Sequence, residues 1–280
     1  MCIRDRGKEY ALLDGEKPEV AQAIFEQYMP RFAGDILPQQ EIGRALSLAD
    51  KLDNLAATFL RGLIPTGSQD PFALRRQTIG AVNILTDGKI HWDIRRGIEA
   101  ALALLPGEEE TKKTVLSQIE DFFRQRIKAI MLDEGIAYDI IDAVLAGPVD
   151  DIYALFLKAR SMAESQLKDE ADLRQAVTRL ANITKGKTGG KVDPSLFTED
   201  VEKKLQDAFE AASKKVLPLF AAYQYGEALP VLKGLTAPIN DYLDNVMVMV
   251  DDEAVKNNRI SQLLATLALF NTWGDFSKLV

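Results

Sequence analysis

The stretch Glu41–Leu60, EIGRALSLADKLDNLAATFL, decides the fold class. Its apolar positions Ile42, Ala45, Leu46, Ala49, Leu52, Leu55, Ala56 and Phe59 recur at steps of three and four, the stripe of an amphipathic helix. Leu63–Ser68 breaks the pattern with Pro65 and Gly67, and Asp70-Pro71 restarts it. An aspartate at an N-cap accepts hydrogen bonds from the first orphan amides, and a proline at the next position needs no donor. The spacing therefore predicts a helix from Pro71 to about Leu85, ending before Asp87-Gly88.

The same periodicity continues to the C-terminus. It predicts helices at about 93–105, 108–132, 137–146, 150–166, 169–184, 198–222, 226–234, 236–249 and 252–271. The helix at 108–132 buries Val115, Ile119, Phe122, Phe123, Ile127 and Ile130. Strand-type alternation is confined to Asn245–Val250, NVMVMV, which sits inside a helical pattern; Val246, Met247 and Met249 read as core. The predicted class is all-α. Gly147-Pro148 is a strong helix terminator and the expected domain boundary, and Lys185–Pro194 is the longest polar, Gly-rich loop.

Composition narrows the function. The chain has 280 residues, room for one large domain or two ordinary ones, with 47% hydrophobic and 27% charged residues. No run of about 18 apolar residues is present, which argues against a spanning helix. Cys2 is the single cysteine, so there is no disulfide framework and no thiolate zinc site, and a reducing cytoplasm fits. The opening Met1-Cys2-Ile3-Arg4-Asp5-Arg6 has neither signal-peptide nor transit-peptide character. It reads as a translated adapter or assembly artefact outside the fold, with the natural protein expected to begin far upstream.

The formal charge of −8 is unfavourable for binding polyanions unless the cations are concentrated. They are. Between Leu173 and Val192 lie Arg174, Arg179, Lys185, Lys187 and Lys191 with no acidic residue among them. A helix end followed by a mobile Lys/Gly tract can track phosphates, with Asn182 placed to contact a base or ribose. The competing reading is a flexible basic loop without a ligand.

Other motifs weaken on inspection. Lys185-Gly186-Lys187-Thr188 resembles the end of a phosphate-binding loop, but Ala181 stands where the motif needs glycine, and a helix precedes it instead of a strand. His91-Trp92-Asp93 contains the single histidine, and no motif supplies a serine or cysteine nucleophile beside it. Asp50, Lys51 and Asp53 share a helix, and Arg75 and Arg76 follow a Pro-Thr-Gly-Ser turn. Unaided, that spacing describes a solvated helix face and a well-made turn.

The combination ADKLD…PTGS-x-DPFALRR over Ala49–Arg76 nevertheless resembles a signature of the bacterial glycyl-tRNA synthetase β-subunit family. Two further stretches are similar to its C-terminal helical anticodon-binding domain, of the type shared with arginyl-tRNA synthetase. They are Ala176–Ile183 (AVTRLANI) and Pro238–Met249 (PINDYLDNVMVM), the second continued by Asn258-Arg259-Ile260. One departure is Ala56-Ala57-Thr58, where relatives more often carry larger aliphatics and glycine.

The resemblance implies an HD-like helical remnant and connector over 7–147 and an anticodon-binding helical domain over 148–280. In HD phosphohydrolases a last aspartate, here Asp50, joins two histidines and another aspartate around a metal. No histidine precedes Asp50 in this chain, so no metal is expected here and Asp50 is read as pairing with a cation or capping a helix. The implied function is the tRNA-binding part of glycine–tRNA ligase, with no catalytic residue in this chain. ATP and magnesium would be used through the α subunit of an α2β2 enzyme, and the ligand would be tRNA(Gly). The residues expected to meet tRNA are Arg174, Arg179, Asn182, Lys185, Lys187 and Lys191. Asp50, Lys51, Asp53, Arg75 and Arg76 carry the signature without an assigned role, and Asp244 is expected to pair with Arg259. The alternatives are a metal-dependent HD-type phosphohydrolase fragment and a helical scaffold without RNA.

Overall fold

The computed structural model describes residues 3–67 and 69–279, so Cys2 and Ser68 of the Pro-Thr-Gly-Ser turn lie outside the described residues. These residues form thirteen α-helices joined by turns and short 3-10 segments, with isolated bridges but no strand among them. The class is all-α, as the periodicity predicts. The chain divides into two compact units, residues 1–131 with Val149–Ala154, and Leu132–Pro148 with Leu155–Val280.

The first unit contains α1 (Ile3–Leu13), α2 (Pro18–Glu26), α3 (Glu41–Leu60), α4 (Leu74–Asp87), α5 (Ile94–Ala103) and most of α6 (Glu109–Asp133). Helix α1 takes in part of the opening hexapeptide, and neither α1 nor α2 was anticipated from the sequence. Leu55, Leu74, Leu85, Ile94 and Phe123 are fully buried, and Phe59 meets Phe122 edge-on at 5.2 Å.

The buried face of α3 corrects the apolar stripe. Ile42 and Leu46 are exposed, at 57% and 39%, while Gly43, Ser47 and Lys51 are buried. These three share a face at four-residue steps. The Ser47 hydroxyl and the Lys51 ammonium both donate to the Met29 carbonyl, at 2.7 and 2.8 Å, and Lys51 also donates to Ser47 Oγ at 2.7 Å. A hydropathy pattern misses this face because its members are small or polar. Lys51 is therefore an internal tether between α3 and the segment after α2, not part of a solvated surface.

Helix α4 begins at Leu74 instead of Pro71. Asp70 still caps it, because its carboxylate accepts from the Leu74 and Arg75 amides at 2.8 and 3.0 Å, reaching over a turn that contains Pro71. Ala73 enters the helix at φ 54°.

The second unit contains α7 (Tyr138–Val144), most of α8 (Ile152–Glu164), α9 (Ala171–Thr184), α10 (Asp200–Ala221), α11 (Leu229–Lys233), α12 (Thr236–Asn245) and α13 (Glu253–Asn271). Helix α13 packs against α9 and α10 and is buried continuously from Asn258 to Leu263. A helix covered all round is a core helix, and its polar members must find partners. Arg259 does so through Glu202, with Nε–Oε1 at 2.9 Å and side-chain exposures of 5% and 0%. Arg259 also donates to Thr198 Oγ1 at 2.7 Å and to the Met247 carbonyl at 2.8 Å.

This overturns the expected Asp244–Arg259 pair. Asp244 lies near the exposed end of α12 and takes Arg179 at 2.6 Å, whereas Arg259 projects from a buried helix and needs a buried acid. The NVMVMV segment is corrected too. Helix α12 stops at Asn245, and the extended chain that follows buries Val246 and Val248 while exposing Met247 (73%) and Met249 (48%). The period-two pattern was real, and the two methionines are not core.

Three predictions follow from these contacts. Gly43→Ala should destabilise the first unit by about 1–3 kcal/mol. Its new Cβ would lie 1.9 Å from Glu26 Oε2 and 2.8 Å from Glu26 Cβ, and Glu26 is only 2% exposed, so it has no room to retreat. Chemical denaturation of the two proteins checks this. Arg259→Met, which leaves Glu202 without its cation, should cost about 3–5 kcal/mol. Burial pushes the Glu202 carboxyl pKa up, but hydrogen bonds from Arg259 and from the Thr198 and Glu199 amides outweigh it, and the net direction is down. A lowered folded-state pKa gives stability that is present above the ordinary value of about 4.3 and is lost as the pH falls through the folded value. The stability gap between wild type and Glu202→Gln should therefore narrow below about pH 4 in denaturation curves taken across that range.

Candidate nucleic-acid interface

The acid-free stretch begins on α9, and its five cations do not stay together as one exposed patch. Arg174 is half-buried, with Nη1 donating to the Leu279 carbonyl at 3.4 Å. Arg179 donates to Asn240 Oδ1 at 3.0 Å and pairs with Asp244. Both arginines thus help to hold the unit together. Asn182 lies on the exposed side of α9, and Lys185, at the end of that helix, is exposed with Lys187 and Lys191 on the loop. None of these three ammonium groups has an ion-pair partner among the described residues.

The second half of the loop, from Gly190 to Asp193, is tied to α13. The Gly190 amide donates to Ser261 Oγ at 2.8 Å. Asn258 accepts from the Asp193 amide at 2.7 Å and donates to the Asp193 carbonyl at 3.0 Å. Gly189 lies so close to α13 that an added Cβ would sit 3.0 Å from Leu264 Cδ1. Gly186 makes the turn out of α9 at φ 69°. The glycines therefore let the backbone turn and approach α13, and the lysines project from an anchored strip. Sequence reasoning missed Asn258 and Ser261 as positioning residues. The available signal was polar side chains at successive positions of a helix otherwise reading as core.

The signature residues separate into distinct surroundings in the first unit. Asp50, which accepts from Asn54 Nδ2 at 3.5 Å, and buried Lys51 line a small cavity of about 80 Å³. Arg76 lines the same cavity, and its side chain makes no hydrogen bond or ion pair among the described residues. Asp53 borders an apolar groove of about 810 Å³ with Leu48, Leu52 and Trp92. Arg75 donates to the Gly67 carbonyl at 2.7 Å.

His91 is drawn away from Asp93. Its Nδ1 lies 2.8 Å from Asp151 Oδ2 and its ring 4.9 Å from Tyr153, while Asp93 caps α5 by accepting from the Arg96 amide. Among the described residues no group of three or more His, Cys, Asp or Glu side chains is arranged to hold a metal ion. No helix among them is long and apolar enough to cross a membrane.

Comparison with known proteins bears on this arrangement. The family profile described as glycyl-tRNA synthetase beta subunit matches residues 6–146. The glycine–tRNA ligase beta subunit of Clostridioides difficile (strain 630) is 42% identical over 275 residues, covering 98% of this chain and 40% of the relative. The protein of the same name from Desulforamulus reducens is 40% identical over 280 residues, covering 99% and 40%. That of Shouchella clausii is 39% identical over 285 residues, covering 98% and 40%. The chain thus spans about 40% of the length of these curated relatives. With a matching profile over half its length and such identity over nearly all of it, the chain belongs to the glycyl-tRNA synthetase beta subunit family.

Proposed function

We propose that this chain is the tRNA-holding part of the β subunit of glycine–tRNA ligase. It supports ATP-dependent glycylation of tRNA(Gly) carried out with the α subunit in the cytoplasm. The carrying observation is the anchored strip with Lys185, Lys187 and Lys191 exposed and unpaired among the described residues, in a chain of this family. Residues 148–280 act as the anticodon-binding domain, and residues 7–147 as an HD-like domain and connector.

The physics of the role is capture and positioning. Phosphate contacts give affinity and fix register, whereas unpaired bases are read by polar side chains. A fixed strip loses less conformational entropy on binding than a floppy one, so more of the Coulomb attraction is retained as affinity. Asn182, one turn before the strip on the exposed side of α9, is the group placed to read a base or ribose. Arg174 and Arg179 contribute chiefly by holding α9 in place. ATP and magnesium are used through the α subunit. The Lys185–Thr188 tetrapeptide does not cradle a nucleotide, because it leaves a helix and its following backbone is committed to α13.

The test uses the complete β subunit assembled with α. Changing Lys185, Lys187 and Lys191 together to Ala should raise the KM for tRNA with little change in kcat. It should also reduce the slope of log affinity against log salt by about three, one for each lost phosphate contact. Asn182→Ala should instead cost about 1–3 kcal/mol and blur discrimination among tRNAs with little effect on the slope. Filter binding across a salt series reads both. Unchanged affinity and slope in the triple variant would remove the strip from the interface.

A further inference from the structure

The signature arginine Arg75 shares a cavity with a second guanidinium. It lines an open cavity of about 400 Å³ in the first unit together with Arg126 of α6. Gln118, Gln125 and Gly67 line it as well. Arg75 is oriented by its bond to the Gly67 carbonyl. Arg126 is oriented by donation to the Phe122 carbonyl at 3.2 Å and to Gln125 Oε1 at 2.9 Å, with its guanidinium 3.6 Å from the Phe122 ring centroid.

Neither guanidinium has a carboxylate within ion-pairing distance among the described residues. Asp70 caps α4, and Asp121, which also lines the cavity, lies 3.6 Å from Arg124. The two cations consequently act on each other. The Arg126 pKa is lowered, first by burial and then by the charge of Arg75, with Asp70 opposing. Two half-buried like charges in one cavity are unfavourable by themselves, and an anion between them turns that repulsion into attraction.

We propose that Arg75 and Arg126 form a second phosphate-binding site, one that takes a backbone phosphate of the bound RNA. The guanidinium fork matches the phosphate oxygens in pairs, and the amides of Gln118 and Gln125 add neutral donors at the same surface. The Pro-Thr-Gly turn and the Asp70 cap then have a joint purpose, since they fix the start of α4 and hence the direction of Arg75. The assignment rests on the reading of the chain as a tRNA binder, but it uses no residue of the lysine strip.

The experiment compares the complete enzyme with its Arg75→Gln/Arg126→Gln and Lys185→Ala/Lys187→Ala/Lys191→Ala forms, measuring tRNA(Gly) affinity across a salt series. The arginine pair should lower the salt slope by about one, for the one phosphate it holds, and weaken binding at least about tenfold at moderate salt. A wild-type slope and affinity in that variant would overturn the site, whether or not the lysine variant is affected. If the lysine variant is unchanged while the arginine variant loses affinity, this site stands and the strip falls. Glycylation kinetics supply a second arm: a raised KM for ATP with an unchanged tRNA slope would assign the phosphate to a nucleotide and overturn the RNA assignment. Arg75→Lys/Arg126→Lys guards against misfolding of the glutamine form. It should keep a near wild-type slope and lose several-fold in affinity, because the charges remain and the forks do not. Unaltered affinity in this folded variant would also overturn the site.

Discussion

The buried pair of Arg259 and Glu202 is the constraint on which the second unit depends. Glu202 sits in the first turn of α10, where its Oε2 accepts from the Thr198 and Glu199 amides at 2.8 Å each. It is thus both half of a capping box and the counter-ion of a core arginine. Arg259 extends the linkage to the Met247 carbonyl, fixing the extended segment after α12. A buried pair is costly to desolvate and repays that cost only when its remaining donors and acceptors are satisfied. Here the carboxylate and guanidinium divide between them the start of α10, a loop hydroxyl and a peptide carbonyl. The gain is a single arrangement of three segments around α13.

The same buried stretch of α13 carries the candidate interface. Asn258 and Ser261 flank Arg259 and hold the loop from Gly190 to Asp193, and Gln262 donates to the Glu202 carbonyl at 2.6 Å. Polar residues in a core helix therefore act as pegs, each taking the backbone of a different neighbour. Lys191, between Gly190 and Asp193, inherits its placement from these buried contacts. Disturbing the core pair would thus be felt at a surface that the pair never touches.

Most helices were legible because burial and periodicity coincide along them. The predicted helix at 252–271 is found at Glu253–Asn271, and that at 169–184 at Ala171–Thr184. Failures came where small or polar side chains do the packing, since hydropathy records transfer free energy and not who touches whom. Gly43, Ser47 and Lys51 are one instance. The methionines of NVMVMV are the opposite one, apolar by composition yet exposed beside buried valines. Charge was legible as a count but not as a pairing. The cluster from Arg174 to Lys191 was visible, while the diversion of Arg179 to Asp244 required the fold to bring positions 65 residues apart together. Arg126 could not have been found from the Arg75-Arg76 motif, because only tertiary structure puts α6 beside the turn before α4.

Net charge is a poor guide to whether this chain meets a polyanion. At physiological salt the Debye length is about 8 Å, so an exposed acid more than that distance away does little to a phosphate held by lysine. What matters is the local inventory after internal pairing. Some surface acids are taken up by internal pairs, as in Arg95 with Glu99 and Glu120, Arg160 with Glu134, and Lys233 with Glu170. Cations without such partners then dominate the field where they occur, and the three lysines and the Arg75–Arg126 cavity are such places. An acidic background also has a positive use. Under the proposed function, it would disfavour nucleic acid over acidic parts of the surface and so help the cationic sites set the binding register.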